Sequence, residues 1–182
     1  MLLIAGSLRT RSTNSAVLRT ARAIAPDGVV TIAYDGLARL PHFNPDDDVD
    51  PLPPAVDDLR TQIQLADAVL FSTPEYAGGL PGSFKNLLDW MIGDDHAGSI
   101  YDKPVAWINA SPRSAIDAHA SLRTVLGYAH ASIVEAACVH VPVTSAMVGD
   151  DQLIHDPERC QQIAGVLEQL AAHVASGMSR PS

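Results

Sequence analysis

Cysteine is scarce in this chain: 182 residues hold two, Cys138 and Cys160, far apart and in different predicted elements. That argues against a disulfide scaffold or a thiolate metal centre, and reads as two reduced thiols in a cytoplasmic protein. Basic residues are also few. Twelve Lys and Arg stand against 21 Asp and Glu, for a net charge of -9 and a pI near 5.0. Such a balance disfavours non-specific binding to DNA or RNA, and an anionic ligand needs a local positive pocket against that field. No uninterrupted apolar run approaches a membrane span, and the start, Met1-Leu2-Leu3-Ile4-Ala5, lacks the basic region of a signal sequence. The seven histidines have no metal-ligand spacing. The run Asp46-Asp47-Asp48 lacks the glycine and glutamate of an EF-hand and reads as a solvated loop. No metal site is expected, and no protein nucleophile stands out as catalytic.

What is present is a globular balance, 47% hydrophobic and 18% charged, in a length that suits one domain. We assign residues 1–176 to that domain and 177–182 to a flexible tail. Short apolar strands alternate with amphipathic helices. Strands are predicted at Leu2 to Ala5, Val29 to Tyr34, Ala68 to Ser72, Val105 to Asn109 and Ile133 to Val139. Helical stripes are carried by Val17, Ala21 and Ile24, by Val56, Leu59 and Ile63, by Phe84, Leu87, Leu88 and Met91, by Leu122, Val125, Leu126 and Ala129, and by Ile163, Val166, Leu167, Leu170 and Val174. Asn14 or Ser15 is the expected cap of the first helix. Between Asp35 and Pro54 a series of prolines breaks the pattern and predicts a long surface loop. The alternation implies an α/β three-layer sandwich: a five-stranded parallel sheet with helices on both faces, in the flavodoxin-like order 2-1-3-4-5. In that order the loops after strands one and three flank the topological switch point, where ligands bind.

Those two loops are the most unusual stretches of the chain. The first, Gly6-Ser7-Leu8-Arg9-Thr10-Arg11-Ser12-Thr13-Asn14, joins a strand to a helix start and supplies hydroxyl donors and two arginines. It reads either as a site for a terminal phosphate or as a hydroxyl-rich turn with a helix cap. It has neither the three glycines of a dinucleotide fingerprint nor the Gly-Lys-Ser/Thr of a P-loop. The second, Thr73-Pro74-Glu75-Tyr76-Ala77-Gly78-Gly79-Leu80-Pro81-Gly82, is stiffened by two prolines, while Gly78-Gly79 let its backbone approach something planar.

Gly6-Ser7-Leu8-Arg9 followed by Ser12 and Asn14 resembles the phosphate loop G-S-L-R-x-x-S-x-N of the NADPH-dependent FMN reductase family. Thr73-Pro74-Glu75-Tyr76, then Pro81-Gly82, Lys85-Asn86 and Asp89-Trp90, resembles that family's second signature, T-P-E-Y-N-x-S-x-P-G-x-L-K-N-x-x-D-W. The likeness weakens beyond about Ser111. The resemblance implies FMN as cofactor, NADPH or NADH as electron donor, a quinone, flavin or similar small-molecule acceptor, and a homodimer or dimer of dimers. It places Ser7, Arg9, Ser12 and Asn14 on the FMN phosphate, and Pro74, Glu75, Tyr76, Ala77 and Gly78 along the isoalloxazine. Ser111 approaches the ring's pyrimidine side or the ribityl chain. The chemistry belongs to FMN, passed on in a ping-pong scheme. Three departures stand out: Ala77 where the family has Asn, Gly79 where it has Ser, and Arg113-Ser114-Ala115 where it has a glycine-rich run. Tyr76 reads equally as part of an acceptor platform or as an aromatic at a subunit interface. For Glu75, an ion-pair or helix-cap role is favoured over acid-base catalysis. The alternative function is a non-enzymatic FMN electron carrier of flavodoxin type.

Overall fold

A computed structural model describes residues 1–94 and 96–178. Six parallel-paired strands form one sheet: β1 (Leu2–Ala5), β2 (Ile32–Tyr34), β3 (Val69–Ser72), β4 (Pro104–Asn109), β5 (Ser132–Ile133) and β6 (Val139–His140). The order is β2-β1-β3-β4-β5, with β6 also on β4, as the alternation of elements predicts. Five α-helices flank it: α1 (Thr13–Ala23), α2 (Pro54–Leu65), α3 (Gly82–Ile92), α4 (Ile116–Tyr128) and α5 (Pro157–Met178).

The period-two alternation of the strands sorts the core into two layers. Leu2, Ile4, Val69, Phe71, Val105 and Trp107 pack under α2, α3 and α4, through residues such as Leu59, Phe84, Leu88 and Leu122. Leu3, Leu70, Ala106 and Ile108 face the other way, onto Val17 and Ala21 of α1 and Ile163, Val166 and Leu170 of α5. Both faces are covered, which is why the central strands read as unbroken apolar runs.

Several sequence expectations are adjusted. The second strand begins at Ile32 rather than Val29. The fifth is split: β5 pairs with Pro104 and Val105 and β6 with Ile108 and Asn109, with a 3-10 turn over Glu135–Ala137 between them. Glu and Ala are weak strand formers, and Glu135 in this turn pairs with Arg123 of α4. The cap of α1 is Ser12, not Asn14 or Ser15. The tail assigned to 177–182 begins within α5, and residues 179–182 lie outside the described part.

The proline-rich stretch over 35–54 is a loop, but it is held down. Pro41 O accepts from Asn86 Nδ2 at 2.8 Å and Trp90 Nε1 at 2.9 Å, and Phe43 N donates to Asn86 Oδ1 at 2.7 Å. Asp48 is not solvated as expected: it pairs at 2.8 Å with Arg60, which is buried and also donates to Trp90 O. Among the described residues no helix is long and apolar enough to cross a membrane.

Candidate flavin site

The carboxyl ends of β1, β3 and β4 bring three loops together. In the first, Gly6 N donates to Ser72 O at 2.8 Å, joining the ends of β1 and β3. A Cβ on Gly6 would lie 2.3 Å from Thr73 Oγ1 and 2.8 Å from Phe84 Cγ, so only glycine allows this approach. Beyond it, Leu8, Arg9, Thr10 and Arg11 are exposed, and Arg9 N donates to Ser7 Oγ at 3.3 Å. Neither arginine forms an ion pair among the described residues.

Ser12 is buried at the N-cap of α1, with φ -84° and ψ 133°, yet its hydroxyl makes no capping bond. The first helical bond runs from Ala16 N to Ser12 O, which leaves the amides of Thr13, Asn14 and Ser15 as free donors among the described residues. The first turn contains no acidic residue. Asn14 is buried, and its Oδ1 accepts from Ser72 Oγ at 2.9 Å; Ser72 Oγ also lies 2.8 Å from Ile108 O. The amide oxygen of Asn14 thus ties α1 to the sheet, and only its NH2 group remains for a ligand.

The loop after β3 is a tight hairpin. Tyr76 N donates to Gly79 O at 3.0 Å and Gly79 N to Tyr76 O at 3.1 Å. Ala77 at φ 51° and Gly78 at φ 73° make it a type I′ turn, which needs positive φ at both central positions. A side chain on Gly78 or Gly79 would meet no atom within 4 Å, so the backbone here borders open space. Tyr76 is 49% exposed beside it. Glu75 turns elsewhere: its Oε2 accepts from Ala118 N at 3.0 Å, in the first turn of α4. The helix-cap role expected for Glu75 is the contact observed.

The loop after β4 is organised by Asn109, buried at the strand's end. Its Oδ1 accepts from Ser111 N at 3.0 Å and its Nδ2 donates to Ser114 O. His140, from β6, holds Ser111 O at 2.7 Å, and Arg113 N donates to Ser111 Oγ at 3.1 Å. With both backbone groups of Ser111 engaged, its hydroxyl hydrogen is what it can still donate. Ser114 at φ 74° and Ala115 at φ 49° adopt the left-handed conformation that glycine takes without strain. His119 Nδ1 lies 2.8 Å from Ala115 O, while its Nε2 is buried with no partner among the described residues. A donating Nδ1 makes Nε2 the bare acceptor of a neutral ring, and burial holds the His119 pKa below its ordinary value.

The structure therefore brings together Ser7, Arg9, Ser12 and Asn14 at one helix start, and Glu75 to Gly78 in a hairpin joined through α4 to the Ser111 loop. Asn109 and His140, which support that loop, are not marked as site residues by the sequence, whereas His119, at a predicted helix start beside Ser111, reads from the sequence as a ligand contact or, in preference, a helix cap. Asn109 had a signal, a polar residue closing an apolar strand; His140 had none. Asn86 and Trp90 of the second signature serve the 41–43 segment rather than the hairpin. A mostly apolar groove of about 420 Å³, bordered by Val30, Ile32, Leu65 and Val174, lies at the opposite end of the sheet from these loops.

A sequence profile of NADPH-dependent FMN reductases matches residues 1–145. The chain is 43% identical over 111 residues to an NAD(P)H-dependent FMN reductase of Pseudomonas aeruginosa, covering 61% of this chain and 59% of that protein. To a quinone reductase of Escherichia coli it is 37% identical over 92 residues, covering 50% and 49%. These alignments span roughly half to three-fifths of the relatives' length. Among solved structures, FerB, a flavoenzyme NAD(P)H:(acceptor) oxidoreductase of Paracoccus denitrificans, superposes with a TM-score of 0.83 at 26% identity, covering 96% of both chains. With the sheet order, the loop geometry and the profile in agreement, the chain belongs to the NADPH-dependent FMN reductase family.

Proposed function

We propose that the protein is an FMN-dependent NAD(P)H oxidoreductase, passing two electrons in a ping-pong cycle to a quinone, flavin or similar small acceptor. One observation carries the reading. Among the described residues, α1 opens on free amides, the uncommitted hydroxyl of the buried residue Ser12 and two unpaired arginines, while an open glycine hairpin stands at the end of the neighbouring strand β3. That donor set fits a phosphate monoester, because N–H groups, hydroxyls and cations converge with no carboxylate in the first turn.

The α1 amides with Ser7, Arg9 and Ser12 would hold the FMN phosphate, helped by the Asn14 NH2 group. The backbone from Pro74 to Gly78 would lie along the ring, and the Ser111 hydroxyl would donate at its edge. When bound, FMN supplies the hydride chemistry. The chain's own part is to bind and orient it and to leave one face of the ring open. The exposed glycines and the single aromatic Tyr76 favour a face shared in turn by donor and acceptor over the covered flavin of an electron carrier.

The same reading includes a homodimer or dimer of dimers. Ile116 and Tyr128 of α4 are 71% and 76% exposed, and the Glu75–Ala118 bond ties the Tyr76 hairpin to the start of that helix. Large apolar groups exposed this way suit cover by a second copy. The two free thiols fit a cytoplasmic location.

The test is an anaerobic visible spectrum of FMN-loaded protein before and after NADPH, then NADH. Rapid bleaching with recovery on adding a quinone is the expected result. Bound flavin that bleaches only with dithionite would move the assignment to an electron carrier, and failure to retain flavin would remove FMN altogether.

A further inference from the structure

The Tyr76–Gly79 hairpin stands away from the body of the protein. Ala77 and Gly78 are exposed, and its two internal hydrogen bonds close the turn on itself without fixing where it points. Among the described residues, the one side-chain hydrogen bond that ties this loop to another element is Glu75 Oε2 with Ala118 N, at 3.0 Å. The turn that receives it is itself anchored: His119 Nδ1 bonds Ala115 O at 2.8 Å, and Asn109 and His140 hold Ser114 O and Ser111 O. A chain of hydrogen bonds thus runs from the hairpin, through Glu75 and the start of α4, to the Ser111 loop.

We propose that Glu75 is a positioning residue whose carboxylate latches the hairpin to the first turn of α4 and so sets the width of the flavin slot between hairpin and Ser111 loop. This rests on the FMN reading above. The geometry suits a latch, because Ala118 N is one of the helix-start amides with no partner inside the helix, and a carboxylate there is favoured by the dipole. It has a second consequence. Two helices, α1 and α4, open towards the same rim, and Glu75 supplies α4 with the protein's own anion. The start of α1 is left free, so a phosphate is directed there and the ligand's orientation follows.

Three variants separate geometry from charge. Glu75→Gln keeps an oxygen at the right reach, Glu75→Asp keeps the charge but is one methylene short, and Glu75→Ala removes both. Amide hydrogen exchange of the flavin-free protein reads the latch at Ala118, Tyr76 and Gly79, while quenching of flavin fluorescence reads the FMN dissociation constant. The expected result is Glu75→Gln intermediate between wild type and Glu75→Ala in both, since it keeps the hydrogen bond and loses the charge. Glu75→Asp and Glu75→Ala should exchange faster at these amides, with FMN binding weakened about tenfold, the scale of one hydrogen bond to a charged group.

Unchanged exchange in Glu75→Ala and Glu75→Asp would overturn the latch, and so would equal damage in Glu75→Gln. Faster exchange with unchanged FMN affinity would overturn its control of the slot. If Glu75→Ala does not fold, the Gln and Asp pair decides alone. Should the wild type bind no FMN, the functional reading fails, and the exchange pattern of the variants alone upholds or overturns the latch.

Discussion

A guanidinium without a carboxylate partner is conspicuous on a chain of net charge -9, and Arg9 and Arg11 are both in that position among the described residues. Their loop is kept short of counter-charge, which suits an anionic guest better than an internal ion pair. Arg9→Ala is expected to weaken FMN binding by about 1.5–3 kcal/mol, the cost of one charge-assisted hydrogen bond, as measured by titration of the flavin-free protein. At Ala77 the family's asparagine acquires a physical explanation. Residue 77 sits at φ 51° in a type I′ turn, where Asn-Gly is the favoured pair and alanine is strained. Ala77→Asn should therefore stabilise the protein by about 0.5–1 kcal/mol in urea unfolding. The hydroxyls and arginines of the loop after β1 were legible as a polar strand-to-helix junction because that pattern lies in neighbouring residues. The strain at Ser114 and Ala115 was not, since nothing local marks a left-handed pair without glycine.

At the scale of elements, the proline-rich segment is attached more firmly than its composition suggests. Arg60 of α2 reaches Asp48 on one side and Trp90 O at the end of α3 on the other, with the ion pair largely removed from water. Arg60→Ala would leave Asp48 without its cation and Trp90 O without its donors, and is expected to cost about 3–5 kcal/mol of stability in denaturant unfolding. Gly93 belongs to this lock, since a Cβ there would fall 1.9 Å from Asp48 Oδ2. The prolines correctly announced a loop, but an acidic run looks solvated until the fold brings an arginine to one of its members. The split between β5 and β6 has the same origin. Ile133 to Val139 has the length of one strand, yet the Arg123–Glu135 pair and the Cys138 thiol bond to Val134 O belong to a turn.

Across the whole molecule, buried titratable groups set where the fold is stable. Burial holds the His119 pKa below its ordinary value and outweighs the hydrogen bond to Ala115 O. The unfolded chain takes up its proton near pH 6.5 and the native state only at lower pH, so stability falls as pH drops through and below 6.5. At the other end, burial pushes the Cys138 thiol up to about 11 from 9.0. Between those values the native state binds more protons than the unfolded one, so stability falls as pH rises from 9.0 to about 11. Thermal melts across both ranges should show both flanks, with the acid flank reduced in His119→Gln and the alkaline one in Cys138→Ala. The sequence by itself determined the alternation of strands and helices, the sheet order and the polar junction between β1 and α1, because period-two and period-3.6 apolar patterns and a polar strand-to-helix junction are properties of neighbouring residues. Only the tertiary structure decided that Glu75 caps a helix 43 residues away, that His140 holds the Ser111 carbonyl, and that Asp48 is paired. Those contacts join residues that only the crossovers of the sheet bring within hydrogen-bonding distance, so no local pattern records them.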